Sequence, residues 1–327
     1  MNFTGKKVLV TGAGGFIGSH LAERLVQDCG KVRAMVHYNG GGNQAWLEIS
    51  RHRGDMEIVA GDITDYHFVH EAMTGCDIVF HLAALIAIPF SYSAPAYYQR
   101  VNGEGTLNVL QSARMHGTPR VIHTSTSEVY GTAQYVPIDE RHPLQGQSPY
   151  SASKIAADKM AEAYFCSFNL PVVTVRPFNT FGPRQSIRAV IPSMILQCLR
   201  GASLKLGHVH PTRDFNFVDN TVDGFLAAAG ADAAIGQTIN LGTGVEISIA
   251  DLATKIGAKL GVRPEIETES ARLRPAASEV ERLLADASRA KALLGWTPRI
   301  DLDAGLDRTI TWLRDNQDRF GEKTFSL

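Results

Sequence analysis

The sequence predicts a doubly wound α/β fold: a parallel sheet covered by helices on both faces, with a smaller, mostly helical second part. Three observations predict it. A β-branched run at Val8-Leu-Val10 leads into a glycine-rich turn, and then into an apolar-periodic helix through Leu21, Leu25 and Val26. Short apolar runs then alternate with longer segments of helical period. Polar clusters follow the ends of several runs, which is where open parallel sheets bind ligands.

Taken in order, the turn comes first. Gly12, Gly15 and Gly18 are spaced G-x-x-G-x-x-G, with Phe16 and Ile17 opening the helix. Glycines there allow a tight turn and let a pyrophosphate approach free N–H groups at the positive end of the helix. The second strand, Val32 to Val36, ends in His37-Tyr-Asn-Gly rather than in a carboxylate that would hold a ribose. His37, or Arg33, could instead accept a 2′-phosphate, so the choice between NAD and NADP stays open. Met56 to Ala60 reads as the third strand. Asp62 and Ile63 follow it, Asp62 suited to accept from an adenine amino group and Asp65 to cap the next helix. Asp77 to Phe80 reads as the fourth strand, ending in His81, Leu82, Ala83 and Ala84. The small residues let a flat cofactor lie on the backbone, and His81 reads as a structural histidine. Gly103 to His116 reads as a helix with Asn102 as its cap.

Arg120-Val-Ile122 reads as a buried strand, and the polar cluster from Thr124 to Glu128 stands at its carboxyl end. Pro149 is a helix-start signal. It places Tyr150 and Lys154 four apart on one helical face. At about 4 Å and an effective dielectric of about 20, a phenolate and an ammonium attract by about 4 kcal/mol. That would draw the phenol down from its ordinary value of about 10 toward a working general base, with Thr126 holding the substrate oxygen. Val172 to Val175 is a further strand. The Pro/Gly-rich stretch Arg176 to Gln185 marks a domain edge. Helix 191–199, strands 213–219 and 237–241, and helices 249–260, 286–294 and 301–314 complete the reading. Arg272, Arg274 and Arg282 suit a diphosphate as bidentate cations, or a solvated face.

Composition narrows the class. The chain has 327 residues, 44% hydrophobic and 20% charged, and a net charge of −1. No basic field argues for nucleic acid, and no apolar run reaches the length of a membrane span. The start of the chain enters a strand without a secretory apolar region, so a cytoplasmic protein is expected. Cys29, Cys76, Cys166 and Cys198 are far apart and show no metal spacing, so reduced thiols and no metal are expected. Asn2-Phe3-Thr4 matches a glycosylation sequon and is taken as chance.

Several stretches together resemble the extended short-chain dehydrogenase/reductase family of nucleotide-sugar enzymes over essentially the whole chain. They are Thr-Gly-x-x-Gly-Phe-Ile-Gly, Gly-Asp-Ile, His-Leu-Ala-Ala, Val-Asn-x-x-Gly-Thr-x-Asn, Thr-Ser-Thr-Ser-Glu-Val-Tyr-Gly, Tyr-x-x-x-Lys and Arg-Pro-Phe-Asn-x-Phe-Gly-Pro-Arg-Gln. The resemblance implies a Rossmann-like domain at 1–178, to which 213–245 returns. It implies a nucleotide-sugar-binding domain at 179–212 and 246–327. It assigns the cofactor diphosphate to the glycine loop, the adenine pocket to Asp62 and Ile63, and catalysis to Thr126, Tyr150 and Lys154. Thr124, Leu82, Ala83 and Ala84 line the cofactor, while Asn179, Arg184, Arg213, Arg274 and Arg282 are expected to face the sugar nucleotide. A homodimer through helices 103–116 and 149–168 is implied, with Ala152, Ala156 and Ala163 permitting close contact there or within the chain.

Ser127-Glu128 after the catalytic threonine is similar to GDP-mannose 4,6-dehydratases and UDP-glucuronate decarboxylases. The stretches Gly131 to Pro137 and Gln145 to Tyr150 are more similar to the GDP-N-acetylglucosamine 4,6-dehydratases of legionaminic acid biosynthesis. Such an enzyme keeps NAD or NADP bound and recycles it within each turnover. Glu128 would remove the C5 proton, with Ser127, Glu128 or a bound water serving the departing C6 hydroxyl. The other reading makes Glu128 a cap of the following loop. A decarboxylase, a 4-epimerase and a non-catalytic Rossmann regulator are the alternatives, the last opposed by the intact Thr126, Tyr150 and Lys154.

Overall fold

Strand burial explains the central sheet. In the computed structural model, which describes residues 3–28, 30–201 and 203–320, Val8, Leu9 and Val10 are all fully buried. That is the pattern of a strand covered on both faces. Asn2 and Cys29 lie outside the described residues; Cys76, Cys166 and Cys198 are free thiols.

The first half of the chain runs β1 (Lys7–Thr11), α1 (Phe16–Gln27), β2 (Lys31–His37), β3 (Met56–Gly61), α2 (Tyr66–Ala72), β4 (Ile78–His81), α3 (Ile88–Ser93), α4 (Pro95–Tyr98), α5 (Gly105–His116), β5 (Arg120–Thr124) and α6 (Pro149–Phe168). The second half runs β6 (Val172–Pro177), β7 (Asn179–Phe181), α7 (Val190–Leu199), β8 (Leu204–Leu206), β9 (Thr212–Phe217), α8 (Val218–Gly230), β10 (Thr238–Leu241), β11 (Glu246–Ser248), α9 (Ile249–Leu260), β12 (Ile266–Thr268), β13 (Arg282–Leu283), α10 (Ser288–Leu294) and α11 (Leu302–Asp315).

Seven parallel strands form the main sheet in the order β3-β2-β1-β4-β5-β6-β10. The order reverses between β1 and β4, the switch point where such sheets open a crevice. One face carries a core shared with α1 and α8; the other packs Leu9, Val79 and Val121 under α2, α5 and α6. The expected doubly wound fold is therefore present.

α6 begins where Pro149 predicts. Ser148 and Ser151 cap it reciprocally, Ser151 N donating to Ser148 Oγ at 3.1 Å and Ser148 N to Ser151 Oγ at 2.9 Å. Its buried stripe includes Tyr150, Lys154, Ala157, Asp158 and Ala161. Ala152, Ala156 and Ala163 are exposed on α6, with Ala152 beside Gly146.

Two expectations need correction. Asn102 does not cap α5. It sits inside a π-helical turn, Gln99–Glu104, that joins α4 to α5. Its side chain accepts from Leu85 N at 2.8 Å and donates to Leu85 O at 3.0 Å and Ser153 Oγ at 2.9 Å. The wide turn keeps the helix going and turns this amide inward. The strand expected at 213–219 ends at Phe217 and belongs to a smaller sheet, paired with β7, β11 and β13. Phe181 packs edge-on against Phe215 and Phe217, which fixes it there. α8 and β10 then bring the chain back to the main sheet.

Candidate active site

The carboxyl ends of β1, β4, β5 and β6 converge on one edge. At β1, Gly12 adopts a left-handed φ of 69°, and a Cβ there would stand 2.9 Å from Ala83 N. A Cβ on Gly18 would stand 2.2 Å from Gly12 O. Gly15 provides no side-chain cap for α1, so the N–H groups at its start face outward for an anion. Leu82 N and Ala83 N both donate to Thr11 Oγ1 at 3.1 Å, which locks β4's end against β1. His81 is the expected structural histidine. Thr106 Oγ1 donates to Asn102 O, so His81 Nε2 donates to Thr106 and Nδ1 accepts from Thr11. Burial holds its pKa well down, consistent with that neutral tautomer.

These residues form a cradle that fits a dinucleotide. Gly18→Ala is accordingly expected to lose the cofactor on gel filtration and to destabilise the chain by about 2 kcal/mol. Thermal melting and absorbance of the released nucleotide check both; a variant that melts and retains cofactor like the parent would refute the close packing.

At the end of β2, His37 is exposed, with Nδ1 3.9 Å from Asp62 Oδ2. Asp62 Oδ1 accepts from Thr64 N and Oγ1, both at 2.8 Å, and Ile63 is buried beneath. Asp65 caps α2, accepting from His67 N and Phe68 N. Arg33 is not available to a phosphate: it donates to Ala72 O and pairs with Glu57 at 2.8 Å.

At the end of β5, Thr126 caps a 3-10 turn at Ser127–Tyr130 by accepting from Glu128 N at 3.2 Å. The turn buries Ser127 and Glu128. Tyr150 is buried beside them, its ring edge-on to Tyr98. Lys154 Nζ donates to Thr124 O at 2.6 Å. The expected depression of the Tyr150 phenol by Lys154 is not what the chain produces by itself. Burial first, and the nearby Glu128 carboxylate, hold Tyr150 above its ordinary value, while the Thr126 side chain pulls the other way. Lys154 is lowered to about 8 by burial, opposed by Asp158.

Arg213, buried on β9, pairs with Glu279 at 3.4 Å, and the Glu128 charge helps to hold its proton against burial. Arg274 Nη1 lies 3.6 Å from the same Glu279 oxygen without a hydrogen bond. Asn179 Oδ1 and Thr124 Oγ1 are likewise buried with no partner. An unsatisfied buried polar atom costs about 1–3 kcal/mol, so these atoms suit a polar ligand. Arg184 pairs with Glu23 on α1 at 3.0 Å while its Nη1 is buried without a partner, and the exposed Arg282 grips Glu246. Glu279 and Asp158 escaped the sequence reading. Asp158 was findable as the next member of the 150/154 stripe; Glu279 carried no local signal.

The family model described as GDP-mannose 4,6 dehydratase matches residues 9–309. The chain belongs to the family of NAD-dependent nucleotide-sugar dehydratases and epimerases. A UDP-glucose 4-epimerase of Mycolicibacterium smegmatis is 34% identical over 94% of this chain and 99% of that protein. A dTDP-glucose 4,6-dehydratase of an Actinoplanes species is 32% identical, covering 95% and 98%. UDP-glucuronic acid decarboxylase 1 of Xenopus tropicalis is 32% identical, covering 94% and 72%. Among solved structures, the dTDP-glucose 4,6-dehydratase of Streptomyces venezuelae with NAD and TYD bound superposes with a TM-score of 0.89 at 29% identity, covering 96% and 98%. Within this dehydratase/epimerase family the chain's own features add two facts. Among the described residues, no helix is long and apolar enough to cross a membrane. Among them also, no three His, Cys, Asp or Glu side chains are grouped to hold a metal ion.

Proposed function

We propose that this protein is a nucleotide-sugar 4,6-dehydratase, converting an NDP-hexose to its 4-keto-6-deoxy form, with GDP-N-acetylglucosamine as the substrate. The observation that carries the reading is the buried Glu128 carboxylate, presented by the Thr126-capped turn beside Tyr150.

Tyr150 takes the proton from the sugar 4-hydroxyl, and Thr126 holds that oxygen. Lys154 fixes the local charge. The 4-ketone acidifies the C5 proton, and Glu128 removes it. Water leaves from C6, with Ser127 or Glu128 supplying the proton. Bound nicotinamide dinucleotide supplies the hydride acceptor for C4 and the donor for C6, and its oxidised ring supplies positive charge. Gly12, Gly15, Gly18, Phe16, Ile17, Asp62, Ile63, Leu82, Ala83, Ala84 and Thr124 would hold it. NAD is the form we favour: His37 shares its position with the Asp62 carboxylate 3.9 Å away, which opposes a 2′-phosphate. Arg213, Arg274 and Asn179 would take the diphosphate and sugar. The exposed alanine stripe of α6 supports a homodimer through α5 and α6.

Decarboxylation of a nucleotide uronate is the second reading, favoured by the buried Arg213 guanidinium, whose charge is felt together with that of Glu128. An Arg213 given to the diphosphate is not free to hold a C6 carboxylate as well, so this reading stands second.

The test is the product mass after incubation with GDP-N-acetylglucosamine, GDP-mannose, UDP-glucuronate, UDP-N-acetylglucosamine and dTDP-glucose. Loss of one water from GDP-N-acetylglucosamine is expected. Loss of carbon dioxide from the glucuronate alone would overturn the dehydratase reading. No mass change, with inversion at C4 by NMR, would make the protein an epimerase.

A further inference from the structure

We infer that Asp158 is a positioning residue of this site: its buried carboxylate keeps the Lys154 ammonium charged, and His123, Ser125 and Arg176 keep that carboxylate in place. The inference rests on Lys154 serving the proposed reaction. Asp158 follows Lys154 by one helical turn on the buried face of α6. Its Oδ1 accepts from His123 Nε2 at 3.1 Å. Its Oδ2 accepts from Ser125 Oγ at 2.8 Å and from Arg176 Nε at 3.0 Å and Nη2 at 2.9 Å. Arg176 is itself held by the Tyr130 hydroxyl at 2.9 Å, and its guanidinium lies over the Tyr130 ring. β5, the residue just past it and β6 therefore fix a single anion carried by α6.

A buried lysine with no anion nearby gives up its proton. The groups around Lys154 decide whether this one does. Thr124 on β5 offers a carbonyl. His81 on β4 and His123 on β5 are held neutral by burial, each with Lys154 pushing the same way. Tyr150, one turn back on α6, is held above its ordinary value by burial in the chain by itself, so there it brings Lys154 no negative charge. Arg176 on β6 is a like charge, spent on Asp158. Asp158 opposes the loss of the proton, and it is ionised at any working pH: burial would raise it, but the His123 hydrogen bond and the Arg176 charge outweigh burial and hold it at about 2. Without its carboxylate, the alkaline loss of the Lys154 proton moves down from about 8.

The experiment follows the Lys154 side chain by NMR in protein carrying 13Cε-lysine, isolated with its cofactor, with Lys154→Met identifying the resonance. Asp158→Asn is expected to lower the Lys154 midpoint by about one pH unit or more, a tenfold change in protonated fraction above it. Asp158→Glu is expected to restore most of the shift. In turnover of whichever nucleotide sugar the parent accepts, the alkaline limb of kcat moves down in step while KM stays unchanged. If Asp158→Asn does not fold because Arg176 is left unpaired, Asp158→Asn is made on top of Arg176→Met and compared with Arg176→Met alone, and the Lys154 midpoint is expected to fall from the single to the double variant. An unchanged or raised midpoint in either comparison overturns the inference. If the parent turns over no nucleotide sugar, the proposed function fails, and the titration still decides the role of Asp158.

Discussion

Replacing Tyr150 by Phe is expected to lower turnover about a thousandfold while the chain keeps its cofactor and its fold. The ring makes the packing contacts, against Tyr98, Ile88 and Leu85, and Phe preserves them. Only the hydroxyl beside Thr126 is lost. Removing a positioned acid or base costs about 10²–10⁴ in rate. Initial rates and the nucleotide released on denaturation check the two halves together. A variant retaining more than about a tenth of the parent rate would take the base role away from Tyr150.

The second large effect is expected at Glu128. Glu128→Gln preserves the shape of the turn, because Thr126 holds the backbone N–H and not the carboxylate. It removes the base. Deoxygenated product is expected to fall by about 10²–10⁴. C4 oxidation continues, so quenched reactions yield the 4-keto hexose that has kept its 6-hydroxyl, lighter than substrate by two hydrogens. In deuterated water the parent places solvent deuterium at C5 and the variant does not. An epimerase would be indifferent to the change, and full deoxygenation by the variant would assign the C5 proton to another group.

Much of this was readable from the chain. The glycine loop, the strand and helix rhythm and the Tyr150/Lys154 stripe depend on local spacing, and local spacing is what a sequence displays. Thus α6 starts at the predicted proline and α9 spans the predicted residues 249–260. What was not readable depends on contacts between distant segments. Arg213 and Arg274 face one glutamate, whereas Arg184 and Arg282 have carboxylates of their own at Glu23 and Glu246. No spacing rule separates these four arginines, because their partners come from other elements. The protonation of Tyr150 was misjudged for a related reason: a pairwise attraction was counted without the burial of the phenol.

The π-helical turn at Gln99–Glu104 bears on how this chain can vary. A helix has a phase, and here two stretches need inward phase at once. Upstream, Tyr98 donates to Ala87 O at 2.5 Å; downstream, Thr106 holds His81. The wider turn supplies the offset that lets both face inward. Deleting one residue from it would rotate everything on one side by about 100°. Either the Asn102 brace or the Thr106 anchor would then swing out. Side chains at exposed positions of this turn, such as Arg100 and Glu104, are free to drift. The number of residues is not, so this stretch should tolerate substitution far better than insertion or deletion.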